Sequence, residues 1–277
     1  MSVLMQTNVA SLESQRNLNK AQSALGRSFN KLSSGFRINS AADDAAGLAI
    51  SEGMRTQIRS YTVAERNAND GISMSQTAEG ALGEISSILG RMRELSMQGS
   101  NGNLTGTDRD YLETEYSALR QEISRIQAST KFNGKQLLAA SSTAIILQVG
   151  LTNTASDQIT VSFGGFGMTT MLSVANTLVG TGATASLGAL KTIDEALQKV
   201  STQRARFGAA MNRLETTTSN ISTMRTNIAA ANSRIRDVDV AEETATMSKN
   251  QVLTQAGAAV LAQANQIPQI AMGLLKG

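Results

Sequence analysis

The chain has 277 residues, of which 25 are basic and 22 acidic, and it contains no histidine, cysteine or tryptophan. Without histidine and cysteine it lacks the usual general base at neutral pH, the best thiol nucleophile and the soft metal ligands, so an enzyme is disfavoured and no cofactor is expected. The charges are nearly balanced, and no dense run of Lys and Arg alternates with aromatic residues, which argues against a nucleic-acid partner. With a single proline, the chain can be helical almost anywhere.

The first predicted helix, within residues 1–40, has an apolar stripe and few charges. Leu18, Leu25 and Leu32 lie seven residues apart, which is the repeat of helices that pack along one another. The first fifteen residues include one charged side chain, Glu13. Because an exposed helix normally carries a charged face, this composition indicates a helix that is buried on several sides. The segment lacks the basic start and long apolar core of a secretory signal, so export, if it occurs, is expected to use a route that cleaves no such signal.

Two adjacent acids, Asp43 and Asp44, come before the next apolar run and have the composition of a catalytic or metal-binding pair. Adjacent side chains on a helix point about 100° apart, so these two do not share a face. Ser40 precedes Asp43 by three residues, which is the spacing of a capping box, and acids in a first turn complement the helix dipole. The pattern therefore predicts the start of a helix rather than a catalytic pair. Asp239 and Glu242 repeat this spacing further along the chain.

A long helical pattern runs from about residue 43 to 99, and a second, shorter one follows it. The stripe of the first pattern consists of Leu82, Ile85, Leu89 and Met92. The loop GSNGNLTGTD separates the two, and Thr107 with Asp110 three residues later predicts a capping box at the start of the second helix. The apolar residues of that helix recur at helical spacing from Leu112 to Ile126.

The middle of the chain has a different composition. Residues 136–190 contain one charged residue, Asp157, and many Ser, Thr and Gly. Asn133-Gly134 is typical of a tight hairpin turn, and the runs AIILQVG and ITVSF predict a pair of strands. Strand signals fade over residues 164–186, for which a continuation of the small β/loop region and a disordered Ser/Thr linker are both open.

Beyond the middle region, apolar residues recur at alternating steps of three and four from Leu190 to Ile235. A mean step of about 3.5 residues is typical of a helix in a left-handed supercoil with partner helices. Together these patterns predict a mainly α fold. We expect an elongated antiparallel helical bundle or coiled coil with a small β-hairpin region, in which the N- and C-terminal helices are paired.

The last predicted helix matches the first. The last twenty-seven residues carry one charge, Lys276, and Gln and Asn interrupt the apolar tail, so we predict no transmembrane span and no membrane partner. One monomer offers too few helices to bury both terminal stripes, so we expect copies of the chain to pack together. We also expect a terminal packing seam in which Val260 and Ile267 face the paired terminal helix. The predicted seam consists of Leu18, Leu25, Leu32, Leu253, Val260, Ile267 and Leu274.

Three stretches resemble bacterial flagellin. KLSSGFRINSAADDAAGLAI is similar to the N-terminal signature of that family, RIQASTKFNGKQL to the end of its first helical block, and residues 212–275 to its C-terminal half. The resemblance covers roughly residues 1–163 and 187–277. It implies a structural subunit that polymerises into the hollow bacterial flagellar filament for swimming motility, and hence a secreted, extracellular protein.

The resemblance also implies a domain organisation and a set of partners. Residues 1–40 and 241–277 would pair as a coiled coil lining an inner tube, and residues 41–140 and 187–240 would form an outer-tube helical rod. Residues 141–186 would be a small β/loop region in place of large outer domains. The implied partners are many copies of the chain, a flagellar export chaperone at the C-terminal region that serves type III export, the filament cap and the hook-junction proteins.

One face of the long helix is a predicted contact surface. Counting about 100° per residue, Arg91, Leu95 and Gln98 lie opposite the stripe that contains Leu82, and this side is predicted to face away from the bundle. The segment RMRELSMQ also resembles the flagellin stretch bound by a vertebrate Toll-like receptor. Arg91, Leu95 and Gln98 match its contact positions, and Glu115 matches a fourth on the neighbouring helix. The resemblance implies that these four residues contact a host Toll-like receptor in the monomer. Because a filament has to bury this face somewhere, we expect the same residues to contact another subunit in the polymer, and an inter-subunit contact alone is also open.

Two other interpretations are open. A hook–filament junction protein of the same superfamily shares the terminal helices but is present in few copies, and polymerisation of the purified monomer into long filaments would distinguish the two. A membrane-active amphipathic helix would need a Lys/Arg-rich face opposite the C-terminal stripe, which the sequence lacks.

Overall fold

The computed structural model describes residues 7–165, 167 and 183–275, with the side chains of these residues except 183, 184 and 267–275. Within this part of the chain there are five α-helices and two short antiparallel hairpins, which confirms the predicted mainly α fold with a small β region. The helices are α1 (Val9–Ser34), α2 (Ala45–Gly99), α3 (Gly106–Ser129), α4 (Ala183–Arg236) and α5 (Val240–Leu275). The strands are β1 (Lys131–Phe132), β2 (Lys135–Gln136), β3 (Thr143–Gln148) and β4 (Gln158–Phe163). In the described residues, no helix combines the length and the apolar character that crossing a membrane requires.

The chain divides into two compact units. The terminal unit is drawn from residues 1–58 and 227–277, and the central unit from residues 59–226. Helices α2 and α4 each begin in one unit and end in the other, and neither contains a proline. The predicted boundary of the N-terminal segment at residue 40 lies in the connector between α1 and α2.

The core of the central unit is built from the predicted helical stripes. On α4, Val200, Phe207 and Leu214 lie seven residues apart and are fully buried, as the heptad pattern predicts. All four residues of the predicted α2 stripe are also fully buried. Helix α3 adds Tyr116 and Ile123 to the same apolar cluster. The core is thus a helical one in which α2 faces more than one partner helix.

Ion pairs between α2 and α4 show that these helices run antiparallel in the central unit. The three pairs are Glu65–Arg225 at 2.7 Å, Glu79–Arg204 at 2.6 Å and Arg93–Asp194 at 2.7 Å. The acid is on α2 in the first two pairs and on α4 in the third. A shift of one helix by one pair would therefore bring like charges together. Because the pairs are partly exposed, each contributes little to stability, and their effect is mainly on register.

The loop between α2 and α3 is held by Arg109, which is 9% exposed. Its guanidinium donates hydrogen bonds to the carbonyl oxygens of Gly99 and Asn101. The first bond satisfies a carbonyl group at the end of α2, and the second ties the loop to α3. The start of α3 differs from the prediction, because the capping box is formed by Thr105 and Asp108 rather than by Thr107 and Asp110. The hydroxyl and the backbone N–H of Thr105 both donate to the Asp108 carboxylate. Both hydrogen bonds lower the pKa of that carboxyl, and the bond from the hydroxyl has the larger effect.

The hairpins follow the sequence prediction closely. Asn133 and Gly134 both have positive φ, 47° and 78°, as a two-residue type I′ turn requires. Strands β3 and β4 pair antiparallel, with a register that runs from Thr143 opposite Phe163 to Gln148 opposite Gln158. The predicted loop or linker at residues 164–186 lies mostly outside the described residues, although α4 already begins at residue 183.

Helices α2 and α4 both anchor the β3–β4 hairpin. The side-chain amide of Asn67 on α2 donates to the Gln148 carbonyl at 2.9 Å, and that of Gln203 on α4 donates to the Ser162 carbonyl at 3.0 Å. The hairpin also lies against Gly71 on α2, where a Cβ atom would be 2.2 Å from a methyl carbon of Leu147. Glycine at this position therefore allows the strand to approach the helix.

Replacing Gly71 with alanine tests this close approach, with Gly80→Ala as a matched control on the same helix. Alanine at the open Gly80 position should stabilise the chain by about 0.5–1 kcal/mol through helix propensity alone. At Gly71 the methyl group overlaps Leu147, and overpacking of this kind costs about 1–3 kcal/mol. We expect Gly71→Ala to have the lower free energy of unfolding in urea titrations. Equal stabilisation by both changes would contradict the packing described.

The hydroxyl of Tyr116 gives a second prediction, because it is buried and has no hydrogen-bond partner among the described residues. Burial also raises the pKa of this group to about 12. A buried polar group without a partner is destabilising, so Tyr116→Phe should raise the free energy of unfolding by about 1 kcal/mol. Tyr111→Phe, at a side chain that is 72% exposed, is the control and should change nothing. Loss of stability in Tyr116→Phe would show that the hydroxyl has a partner in solution.

Candidate assembly interface

The two terminal helices are capped by their own sequence. The Asn8 side chain accepts a hydrogen bond from the Ser11 backbone N–H at the start of α1, and Gly35 ends this helix with a φ of 74°. Asp239 accepts hydrogen bonds from the N–H groups of Ala241 and Glu242 at the start of α5. The predicted pattern of Asp239 and Glu242 is therefore a helix start. Acids near this end of a helix are stabilised by its dipole.

Helices α1 and α5 pack antiparallel along one another. The side-chain amide of Asn8 donates to the Ala264 carbonyl at 2.8 Å, close to the start of α1. At the other end of α1, Lys31 lies 3.6 Å from Glu243. Between these points Gly257 lies against Leu18, where a Cβ atom would be 3.4 Å from a Leu18 methyl carbon. The predicted pairing of the N- and C-terminal helices is therefore present.

This pair buries little of its own surface. Among the described side chains of α1 and α5, only Ser28 and Ala264 are fully buried. The predicted seam residues Leu18, Leu25 and Leu32 are half-buried. The half-buried residues of α5 are Glu243, Met247, Asn250, Thr254, Gly257 and Leu261.

The structure does not place the other described seam residues against α1. Leu253 is 48% exposed and Val260 is 54% exposed. This corrects the expectation that Val260 faces the paired helix. The reason is that the half-buried residues of α5 form a second heptad series, which is offset by one residue from that of Leu253 and Val260. Small or polar residues in this second series, such as Gly257, allow α1 to approach α5. The side chains of Ile267 and Leu274 lie outside the described part.

An open groove runs along the pair. Its apolar lining comes from Leu12 and Leu18 on α1 and from Leu253 and Val260 on α5, and the rest of its lining includes basic and neutral polar residues, most of them on α1. Further exposed apolar side chains of the pair are Val9, Phe29 and Val252, each at least 58% exposed. Apolar side chains in such number on one helix pair are typical of an interaction surface. The groove and these side chains form the candidate assembly interface.

The connectors next to this helix pair are bound to each other. Phe36 and Asp237 form an antiparallel bridge, and the backbone N–H of Val238 donates to the Gly35 carbonyl at 3.1 Å. The Arg236 guanidinium lies 4.4 Å from the centre of the Phe36 ring and donates to Glu52 at 2.8 Å. The Arg236 hydrogen bond also lowers the pKa of the Glu52 carboxyl. These contacts fix where α1 ends relative to where α5 begins.

The acidic pair belongs to the turn before α2. Asp43 accepts hydrogen bonds from the backbone N–H and the hydroxyl of Ser40, both at 2.9 Å, and the first of these is the main cause of its lowered pKa. Asp44 accepts from the Gly47 N–H at 2.9 Å, while α2 begins at Ala45. This confirms the interpretation as a helix start, although both acids precede the helix rather than lie within its first turn. In the described residues no group of His, Cys, Asp and Glu side chains is arranged to hold a metal ion.

The predicted outer face of α2 is only partly exposed. Arg91 donates to Glu115 on α3 at 2.8 Å and to Glu94 at 2.9 Å, and these two contacts, in that order, raise the pKa of its guanidinium. Gln98 is exposed, as predicted, but Leu95 is only 1% exposed. This corrects the expectation that Leu95 faces away from the bundle. The prediction assumed that α2 is buried on one side only. In the structure α3 covers a second side of α2, the one that carries Arg91 and Leu95.

Comparisons with known families and proteins agree with this arrangement. The model of the bacterial flagellin N-terminal helical region matches residues 5–143, and that of the C-terminal helical region matches residues 190–275. Flagellin of Bacillus subtilis strain 168 is 42% identical over 97% of this chain and 98% of its own length. Flagellin of Halalkalibacterium halodurans is 45% identical over 94% of this chain and 93% of its own length. The flagellar filament 33 kDa core protein of Treponema phagedenis is 38% identical over 99% of this chain and all of its own length.

Solved structures add a comparison of the fold. The crystal structure of Bacillus cereus flagellin is 33% identical and covers 60% of this chain and 94% of its own, with a TM-score of 0.50. A protein from Vibrio parahaemolyticus described as flagellar hook-associated is 15% identical, with a TM-score of 0.58 over 71% of this chain and 98% of its own, and so is similar in fold alone. The two relatives at 42% and 45% identity are both flagellins, and these matches extend over nearly the whole chain. The chain therefore belongs to the bacterial flagellin family, whose members are structural subunits that polymerise into the flagellar filament.

Proposed function

We propose that the candidate assembly interface on α1 and α5 is the surface through which copies of this chain polymerise. Residues 1–40 and 241–277 then form the inner tube of the filament and residues 41–140 and 187–240 the surrounding helical rod. Residues 141–186 form a small outer β/loop region. The observation that supports this proposal is the exposure of apolar side chains in the terminal unit. Leu253 and Val260, for example, are about half exposed in the single chain.

The energetics of burial favour assembly through these residues. Full burial of one Leu, Val or Phe side chain stabilises a structure by about 1.5–3 kcal/mol relative to its exposed state. Val9, Leu12, Phe29, Leu253 and Val260 are each 48–64% exposed, so neighbouring copies can bury roughly half of each. The summed gain is several kcal/mol per subunit before the cost of association. The interface lacks acids on α5 beyond its first turn, so no carboxylate has to be desolvated there. The basic residues of α1 that line the groove have long side chains, which allow their charged ends to stay in water.

The same surface accounts for the proposed partners before and during assembly. An apolar α5 surface needs a cover in the cell, which a flagellar export chaperone at the C-terminal region provides. After export by the type III route, the chain is extracellular, and the filament cap and hook-junction proteins present the first complementary surfaces. The alternative, a hook–filament junction protein, is supported only by a 15% identical fold neighbour, whereas the relatives at 42–45% identity are flagellins.

The second proposed contact surface consists of Arg91, Gln98 and Glu115, with Leu95 beneath them. The Arg91–Glu115 pair joins α2 to α3 at the surface and leaves both side chains about half exposed. A fixed guanidinium and an exposed amide on one ridge can be contacted by a neighbouring subunit in the filament or by a host Toll-like receptor in the monomer. Leu95 contributes by supporting the ridge rather than by direct contact, because it is buried.

Val260→Asp tests the assembly interface, and Val260→Leu is its matched control. Since Val260 is 54% exposed, the aspartate should leave the helix content and thermal stability of the monomer nearly unchanged. In the filament it would place an unpaired charge in a buried contact. We expect Val260→Asp to abolish seeded polymerisation, measured by sedimentation and electron microscopy, and Val260→Leu to polymerise like the parent. Normal filaments from the aspartate variant would exclude Val260 from the interface.

Arg91→Ala tests the ridge, with Arg125→Ala as the control. Both changes remove an exposed arginine that is paired with a glutamate three residues away, but only Arg91 also joins α2 to α3. Because exposed pairs contribute about 0–1 kcal/mol, both monomers should keep their helix content. We expect Arg91→Ala to lower both receptor signalling and the rate of polymerisation at least severalfold relative to Arg125→Ala. Equal signalling by the two variants would refute the receptor contact.

A further inference from the structure

Methionine is the only side chain through which this chain reacts readily with peroxides. It has 12 methionines and no cysteine, histidine or tryptophan. A thioether is oxidised to a sulfoxide when an oxidant reaches the sulfur, and reductases reverse the reaction. Met74 and Met92 are buried in the core, whereas Met97 and Met224 are 55% and 43% exposed. The question is whether an exposed methionine has surroundings that suit the oxidised form.

Met224 has such surroundings. Its sulfur lies 3.5 Å from the hydroxyl oxygen of Tyr61, and both residues belong to the central unit. The Tyr61 ring is packed against the core, so the position of its hydroxyl is fixed by the fold. A thioether sulfur is a weak acceptor for a hydroxyl donor. The Tyr61 hydroxyl is therefore a well-placed donor, but the thioether of Met224 accepts its hydrogen bond only weakly.

Oxidation improves this hydrogen bond. When hydrogen peroxide reacts with the thioether, the sulfur loses two electrons, the O–O bond breaks, one oxygen bonds to sulfur and the other leaves as water. The new oxygen is a strong acceptor, and an O–H···O hydrogen bond is about 2.7 Å long. With the hydroxyl 3.5 Å from the sulfur, an oxygen lying to one side of the line between them reaches this distance without movement of the backbone.

We propose that Met224 is a reversible oxidation site for peroxides and that Tyr61 holds the sulfoxide by donating to its oxygen. Because a sulfoxide is chiral, the fixed hydroxyl favours the epimer whose oxygen points towards Tyr61. At Met97 a sulfoxide would face a different donor, because Arg93 donates to the Met97 sulfur through Nη1 at 3.6 Å and to Asp194 through Nε at 2.7 Å. The Arg93 side chain is itself about half exposed, whereas the Tyr61 ring is packed against the core. Of the two exposed methionines among the described residues, Met224 is therefore the one whose donor is held in place by the fold.

The first experiment measures where oxidation occurs. The full-length monomer is treated with hydrogen peroxide under native conditions, and sulfoxide formation is followed at each methionine by mass spectrometry of proteolytic peptides. We expect Met224 to react at least about tenfold faster than Met74 and Met92, because the rate follows exposure of the sulfur. Equal rates at these three positions would overturn the proposal.

The second experiment isolates the role of Tyr61 by comparing the parent with Tyr61→Phe, each with and without Met224→Leu. Oxidised samples are reduced by the two epimer-specific methionine sulfoxide reductases. The parent should show one strongly preferred epimer at Met224, and Tyr61→Phe should show a nearly even mixture. Oxidation should also lower the Tm more in Tyr61→Phe than in the parent, by about 2–4 °C for the loss of one hydrogen bond.

The Met224→Leu variants show how much the other methionines contribute to the difference in oxidative Tm shift between tyrosine and phenylalanine at position 61. Variants that carry this change should show the same oxidative Tm shift with tyrosine or phenylalanine at position 61. An even epimer mixture in the parent, or an equal Tm shift in all four proteins, would show that Tyr61 does not hold the sulfoxide.

Discussion

Two helices packed side by side bury only the faces that they turn towards each other. Helices α1 and α5 of the terminal unit carry apolar residues on other faces as well, and the pair alone cannot bury these. Where α1 and α5 meet, the residues include Ser28, Gly257 and Ala264, whose small size allows close approach. The larger side chains of α5, such as Leu253 and Val260, project elsewhere. In a filament subunit this arrangement ties the stability of the unit to the concentration of its copies.

The central unit is under no such constraint. Three helices and a hairpin surround one apolar cluster, and residues such as Leu89, Ile123 and Phe207 are completely buried within it. Ion pairs at the surface of this unit align α2 with α4, whereas the pairing of α1 with α5 involves few charged residues. The chain thus combines a unit that can complete its core alone with one that cannot. This combination suits a filament subunit whose central core does not depend on assembly.

The sequence predicted those features that depend on periodicity within one helix. The long helices, the hairpin turn at Asn133-Gly134 and the heptad stripe of α4 are all where the patterns placed them. Periodicity does not indicate how many neighbours a helix has, which is why Leu95 was expected at the surface. A stripe of large apolar residues likewise does not show which face a partner helix will choose. On α5 the partner packs on a series containing glycine and alanine, and Val260 is left exposed.

Contacts that join residues far apart in sequence were beyond the reach of local patterns. The hydrogen bonds from Asn67 and from Gln203 to the β3–β4 hairpin are side-chain contacts with backbone carbonyls. No spacing rule predicts them, because the partner depends on how the chain returns. The capping box of α3 is a different case. Thr105 and Asp108 have the same spacing as Thr107 and Asp110, so the sequence contained both possibilities, and the structure selects the first pair.

The antiparallel pairing of helices gives the chain a nested order of contacts. Arg93 and Asp194 are 101 residues apart, Glu79 and Arg204 are 125, and Glu65 and Arg225 are 160. Arg236 and Glu52 are 184 residues apart, and Asn8 and the carbonyl of Ala264 are 256. Each inner contact shortens the loop that the next one has to close, so the loop entropy favours closure from the middle of the chain outwards. A chain that emerges from a channel one end first can therefore pair its two ends only after all of it has emerged, which makes the terminal helix pair the last part of the subunit to form.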